Sequence, residues 1–181
     1  MALTKADYIK PAKRMGLHHT PVLNAPEAAS QTFWKGSPVI DASGYVTISG
    51  ADPVTKILGI AIDAGQNQSS AGTVDATFVP ALPGMVFEGA LYHSSAASAV
   101  IAATDRFAQY GLVKSSTNEI WAIDKTESSA AKKCVTIVGF KDALSTANGT
   151  VYFTFNQRPR AHALSVSTSA VTTKDPFTIW G

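Results

Sequence analysis

Residues 148–155 read Asn148-Gly149-Thr150-Val151-Tyr152-Phe153-Thr154-Phe155. Asn-Gly is a tight-turn dipeptide, because both residues tolerate positive φ. Beyond it, Val151, Phe153 and Phe155 alternate with Tyr152 and Thr154. That period of two places one set of side chains on each face of a β-strand. The same pattern recurs upstream. Tyr45, Thr47 and Ser49 alternate with Val46 and Ile48, and Val74, Ala76 and Phe78 share one face of the run at 72–79. Residues 120–123 and 133–140 read as further short strands, and a run also starts at Met85. The segment 56–62 is apolar at nearly every position, as expected of a strand covered on both faces. Ser43-Gly44, Asp52-Pro53, Pro80 and Pro83 punctuate the runs. The pattern predicts a mainly β fold, with one β-rich body over residues 33–156.

One stretch breaks the period. Over residues 95–110, Ala99, Val100, Ala103, Phe107 and Tyr110 recur every three to four positions, and Gly111 follows as a stop. This spacing predicts one short helix. Residues 1–32 hold Pro11, Pro21 and Pro26 with few large apolar side chains, and read as an extended N-terminal arm. Residues 157–181 run from Arg158-Pro159-Arg160 through Ser, Thr and Ala to Phe177-Thr178-Ile179-Trp180, a tail with an apolar tip. That tip is expected to dock on the body or on a neighbouring subunit, because apolar surface left in water is unfavourable.

The 181 residues are 45 % hydrophobic, enough for a core, but only 15 % charged. Ordinary domains carry about 25 % charged residues. Small, weakly charged residues suit surfaces that pack against protein. The formal charge is +2 and is unevenly spread. Residues 1–32 and 157–181 each carry +2, and the stretch between them carries −2. Basic ends flanking an acidic middle point to ends that lie on an acidic partner. The arm offers Lys5, Lys10, Lys13 and Arg14 for charge, with Leu17, Val22 and Leu23 as apolar beads. The tail offers Phe177, Ile179 and Trp180.

Chemistry-bearing patterns are few. Phosphate-binding glycine loops, HExxH, paired CxxC and GxSxG do not occur. Cys134 is the single cysteine and lies in the apolar run Cys134-Val135-Thr136-Ile137-Val138, so it reads as a buried small hydrophobe. His18 and His19 are adjacent and would point opposite ways in an extended chain, a poor metal pair. His93 reads as a loop residue. Asp52, Asp63 and Asp105 are candidate carboxylates, yet turn formation and local pairing account for them, including Asp105 beside Arg106. Trp34 and Trp121 lie in strand-like contexts and read as core. No basic stripe interleaved with aromatics supports nucleic-acid binding, and no run of 18 apolar residues supports a membrane span. The residues predict no catalytic centre, metal or cofactor.

Several motifs follow one another in a distinctive order. Phe33-Trp34-Lys35-Gly36-Ser37-Pro38-Val39 opens the body, and Ile57-Leu58-Gly59-Ile60-Ala61 follows. Next come Gly72-Thr73-Val74-Asp75-Ala76 and Pro83-Gly84-Met85-Val86-Phe87. Thr104-Asp105-Arg106-Phe107 with Tyr110-Gly111-Leu112 precede Trp121-Ala122-Ile123-Asp124. In this order they resemble the decoration, or cement, proteins of tailed-bacteriophage heads. The resemblance implies a compact β-barrel or β-sandwich body of β-tulip-like type. It implies a homotrimer on the outer surface of the virion capsid, made in the host cytoplasm and bridging copies of the major capsid protein. It implies no catalytic residues, no nucleic-acid partner and no membrane. Two other readings share the composition: a tail, neck or baseplate protein, and a carbohydrate-binding module using Trp34, Trp121 or Trp180. An enzyme is the remaining class.

Overall fold

The computed structural model describes residues 8–12, 20–50, 57–82, 84–115 and 120–156. The strands are β1 (Lys10–Pro11), β2 (Leu23–Pro26), β3 (Pro38–Ala42), β4 (Tyr45–Ile48), β5 (Ile57–Ala61), β6 (Asp75–Pro80), β7 (Phe87–Tyr92), β8 (Gln109–Lys114), β9 (Trp121–Asp124), β10 (Val135–Phe140) and β11 (Thr150–Phe155). The fold is mainly β, as the alternation predicts. Strands β7, β11, β10, β8 and β9 pair in that order, and β9 returns to β7. The closing pair is parallel, Leu91 with Ile123 and Tyr92 with Asp124. Closure removes the free edges that an open sheet would expose. β1 lies along the first part of β7, Lys10 opposite Glu88 and Pro11 opposite Phe87.

Inside the barrel the alternation is visible residue by residue. Val151 and Phe153 of β11 are fully buried, whereas Tyr152 and Thr154 are partly exposed. Phe87, Phe153 and Phe155 form an aromatic triad with ring centroids 5.3–5.8 Å apart, one pair stacked and two edge-on. Such pairs add about 0.5–1.5 kcal/mol each beyond area burial. In β10 the register slips between Ile137 and Gly139, so Val138 is an extra, exposed residue of a β-bulge.

The second sheet runs β2-β6-β5-β3-β4, antiparallel throughout. It curls until its edges meet. Glu27, just after β2, bridges Val46 of β4 in parallel, and the Ala28 N–H donates to the Val46 carbonyl at 2.9 Å. The Gln31 side-chain oxygen accepts the Ile48 N–H at 2.9 Å, satisfying another edge donor. β5 and β6 serve two cores at once. Ile57, Ile60, Val79 and Ala81 join the barrel cluster, while Ala61, Ala76 and Phe78 join Phe33, Val39 and Val46. Here lies the reason that 57–61 is apolar throughout. Gly59 is paired between β3 and β6, and a Cβ there would overlap the Val79 carbonyl oxygen.

Three expectations change. The helix over 95–110 is replaced by short 3-10 turns at Ala96–Ser98 and Ala103–Asp105, followed by β8. Ala99 and Ile101 are buried, but their backbones bond the 145–148 loop: Asn148 N–H to Ala99 O at 2.6 Å and Ser145 N–H to Ile101 O at 2.8 Å. Ala103 and Phe107 face solvent, so the three-to-four spacing marks no single apolar face. Tertiary backbone pairing outweighs a weak local preference. Second, the tight turn signalled by Asn148-Gly149 is present, with Gly149 N–H to Thr146 O at 3.3 Å, but it ends a nine-residue connection between β10 and β11. Asn148 takes φ +48°, and Gly149 is needed because a Cβ would lie 2.6 Å from Ile101 Cδ1. Third, the N-terminal stretch is partly woven into the body. Ile9 and Glu27 are buried, Ala12 nearly so, and β1 and β2 are strands of the two sheets.

Ile9 therefore acts as a core residue. Ile9→Ala should lower unfolding free energy by about 2–5 kcal/mol, read from urea denaturation midpoints. A change below about 0.5 kcal/mol, the level of a surface substitution, would show that β1 only rests on the surface.

Candidate functional site

The turn Trp34-Lys35-Gly36-Ser37 is held rigidly. Ser37 N–H donates to the Trp34 carbonyl at 3.0 Å, Ser37 Oγ accepts Trp34 N–H at 3.2 Å, and Gly36 N–H donates to Ala61 O at 2.8 Å. Gly36 takes φ +86°, and a Cβ there would lie 2.8 Å from Tyr8 Cβ and 2.9 Å from Ile9 O. Only glycine lets the N-terminal segment lie so close. Phe33 then points into the core, 2 % exposed, and Trp34 points outward, 56 % exposed. The expectation of a core Trp34 is thus corrected. The tight turn reverses the two neighbours, and Phe33 takes the interior place. Trp121 is buried, as expected.

Around this turn the chain gathers cations. Lys10 Nζ and Lys35 Nζ lie 5.6 and 5.8 Å from the Tyr8 ring centroid, within cation–π range. Glu88, nearly buried on β7, receives Lys10 on one carboxylate oxygen and Lys141 on the other, both at 3.0 Å. Burial alone would raise the Glu88 pKa. Hydrogen bonds from Lys141 and Lys10, with their charges, outweigh it and hold the carboxyl below its ordinary value. The same contact raises Lys141.

Of the arm residues expected to bind a partner, Lys10 belongs to this cluster. Val22 and Leu23 are about half exposed at β2, on the other sheet. Lys5, Lys13, Arg14 and Leu17, and the tail residues Phe177, Ile179 and Trp180, lie outside the described residues. So do His18 and His19. Tyr8, Lys35, Glu88 and Lys141 were not singled out as site residues by sequence, and Trp34 only as a candidate for a sugar-binding platform. The Lys-Gly step after Trp34 is the local sign that a turn there exposes its first residues.

A second constellation surrounds Asp105, 3 % exposed. Its carboxylate accepts Tyr110 OH at 2.5 Å, Ala102 N–H at 2.8 Å and Lys125 Nζ at 2.9 Å. Lys125 also donates to Val100 O at 2.8 Å. Arg106, its sequence neighbour, lies over the Phe140 ring instead, 5.3 Å away. Burial pushes the Asp105 pKa upward, but the bonds from Tyr110, Ala102 and Lys125 and the ammonium charge bring it below the ordinary aspartate value. Burial and Asp105 together raise Tyr110. The three groups clasp the 96–108 loop to β8 and the end of β9. Cys134 is 2 % exposed, and burial pushes its thiol up to about 12. His93 Nδ1 accepts Ser95 N–H at 2.9 Å within its loop. Among the described residues, no three His, Cys, Asp or Glu side chains group to hold a metal ion, and no helix is long and apolar enough to cross a membrane. No protein-family model, curated protein or solved structure matches the chain.

Lys125→Met should destabilise the fold by about 3 kcal/mol, since it leaves Asp105 buried without its counter-ion. Asp105 has a depressed folded pKa, so its contribution is present above the unfolded value and disappears as pH falls through the folded one. Thermal melts against pH should show wild-type stability falling in acid below the ordinary aspartate range. Lys125→Met should move that fall to higher pH, and an unchanged acid limb would refute the clasp. Cys134 should resist an aromatic disulfide reagent at pH 8 in the native state and react once denaturant unfolds the chain. Rapid native labelling would contradict its burial.

Proposed function

We propose that this chain is a virion structural protein that binds the outside of a bacteriophage head as a decoration protein. It bridges major capsid subunits and stabilises the shell as a homotrimer, without catalysis. The observation that carries the reading is the rigid turn that holds Trp34 and Lys35 in solvent beside Tyr8 and Lys10. An exposed Trp whose backbone is fixed by hydrogen bonds is a residue that anchors protein interfaces at low entropic cost. The mainly β body and the order of motifs from Phe33 to Asp124 support the same reading. So does the engagement of the buried ionisable groups Asp105 and Glu88 in contacts that hold the fold.

In physical terms, packaged nucleic acid presses the shell outward, and a protein spanning two subunits adds interface that must break before they part. Many copies at equivalent positions multiply the effect, and several contacts per copy give avidity.

Electron cryo-imaging of particles carrying the chain tests the reading. Density for the body is expected at symmetry-equivalent sites on the outer head surface, three copies together, with light scattering of the free protein showing a trimer. Density confined to the tail, neck or baseplate would overturn it in favour of another virion part. Retention on a glycan array through Trp34, with no binding to heads, would favour a carbohydrate-binding module.

A further inference from the structure

Lys10, Lys35 and Lys141 converge on one surface from three separate parts of the chain: β1, the 34–37 turn and the end of β10. Glu88 is the hub. Each of its oxygens takes one ammonium, so Lys10 and Lys141 are fixed in place while their side chains stay 38 % and 42 % exposed. Each ammonium has three donors, and Glu88 accepts one from each, leaving others to face outward. Lys35 adds a third cation beside Tyr8, and Trp34, its neighbour in the same turn, is 56 % exposed. The anions nearby are Glu88 and Asp142, whose Oδ2 is engaged by the Thr150 N–H at 2.8 Å.

We infer that the surface of Trp34, Lys35, Tyr8, Lys10 and Lys141 binds an acidic protein surface, pairing its lysines with carboxylates and seating an apolar side chain against the Trp34 indole. The inference rests on the decoration reading to the extent that it assigns this surface to the shell. Its chemistry stands independently. A sugar platform needs open aromatic faces, and here two ammonium groups sit against the Tyr8 ring. A nucleic acid needs a run of cations free of anions, whereas this surface includes Glu88 and Asp142, and residues 33–156 carry −2. Discrete carboxylates placed opposite the lysines suffer less from that wider negative charge, because it is screened beyond about 8 Å at physiological salt.

The full chain and its Lys35→Glu, Lys141→Gln and Trp34→Ala variants would be titrated with poly-L-glutamate at low and physiological salt. Lys132→Glu, on the turn that packs against β8, serves as the control for net charge. Melting curves verify that each variant folds. Lys35→Glu is expected to weaken polyglutamate binding at least tenfold at low salt, Lys141→Gln severalfold, and Lys132→Glu less than twofold. Trp34→Ala should leave polyglutamate binding unchanged, since that probe carries no apolar side chain, but weaken binding to heads at least tenfold. Equal losses for Lys132→Glu and Lys35→Glu would overturn the inference, as would single-stranded DNA or phosphatidylglycerol vesicles binding more tightly than polyglutamate at physiological salt. So would heads that bind the wild type and the Trp34 and Lys35 variants alike, which refutes this surface and leaves the decoration reading intact. Conversely, the expected polyglutamate pattern with no binding to heads would refute the decoration reading and uphold the acidic-partner surface.

Discussion

Strands β5 and β6 have apolar side chains on both faces, and the rest of the molecule is arranged around that constraint. A strand that is apolar on one side can lie on a core with its back to water. One that is apolar on both sides must be sandwiched. Ile60 and Val79 face the barrel, and Ala61 and Phe78 face the curled second sheet. The two β layers are thereby joined into one body, with neither core complete without the shared pair. The side of the shared strands that faces the second core carries the small residues Ala61 and Ala76 beside Phe78, which leaves room for Phe33. Burying Phe33 in turn fixes the turn that exposes Trp34.

Strand content was readable wherever alternation was strict, as in 150–155, and wherever an apolar run was too short for a helix, as in 56–62. Both signals come from side-chain direction, which is a local property. The failures came from distant partners. Residues 95–110 look helical in isolation, yet Ala99 and Ile101 bond a loop some 45 residues later, and Asp105 is claimed by Lys125. Pro11 and Pro26 argued against strands, and both are nevertheless in them. Each sits at the end of a short strand with a partner on one side, where a missing N–H leaves no broken ladder.

The surface cluster was hardest to read. Lys10 was visible as one of several basic residues, but nothing local connects it to Lys35, Glu88 or Lys141. Those contacts exist because β1 lies on one side of β7 and β11 on the other, and β11 in turn pairs with β10, whose end brings Lys141 within reach of Glu88. Trp34 was misplaced for a related reason. In Phe33-Trp34 two large aromatics are adjacent, and only the bonds of Ser37 and Gly36 decide which one turns inward.

The pairing of β1 with β7 also orders events in time. Lys10 leaves the ribosome before its partner Glu88, which follows about eighty residues later. At roughly 5–20 residues per second, Ile9 and its neighbours spend about 4–16 s without the strand they complete. The barrel they lean on cannot close until β11, still further along, has been made. During synthesis the nascent chain therefore carries Ile9 without the strand that will bury it. Lys10 and Pro11 make the segment around Ile9 poor material for pairing with other unfinished chains, which suits it to the wait.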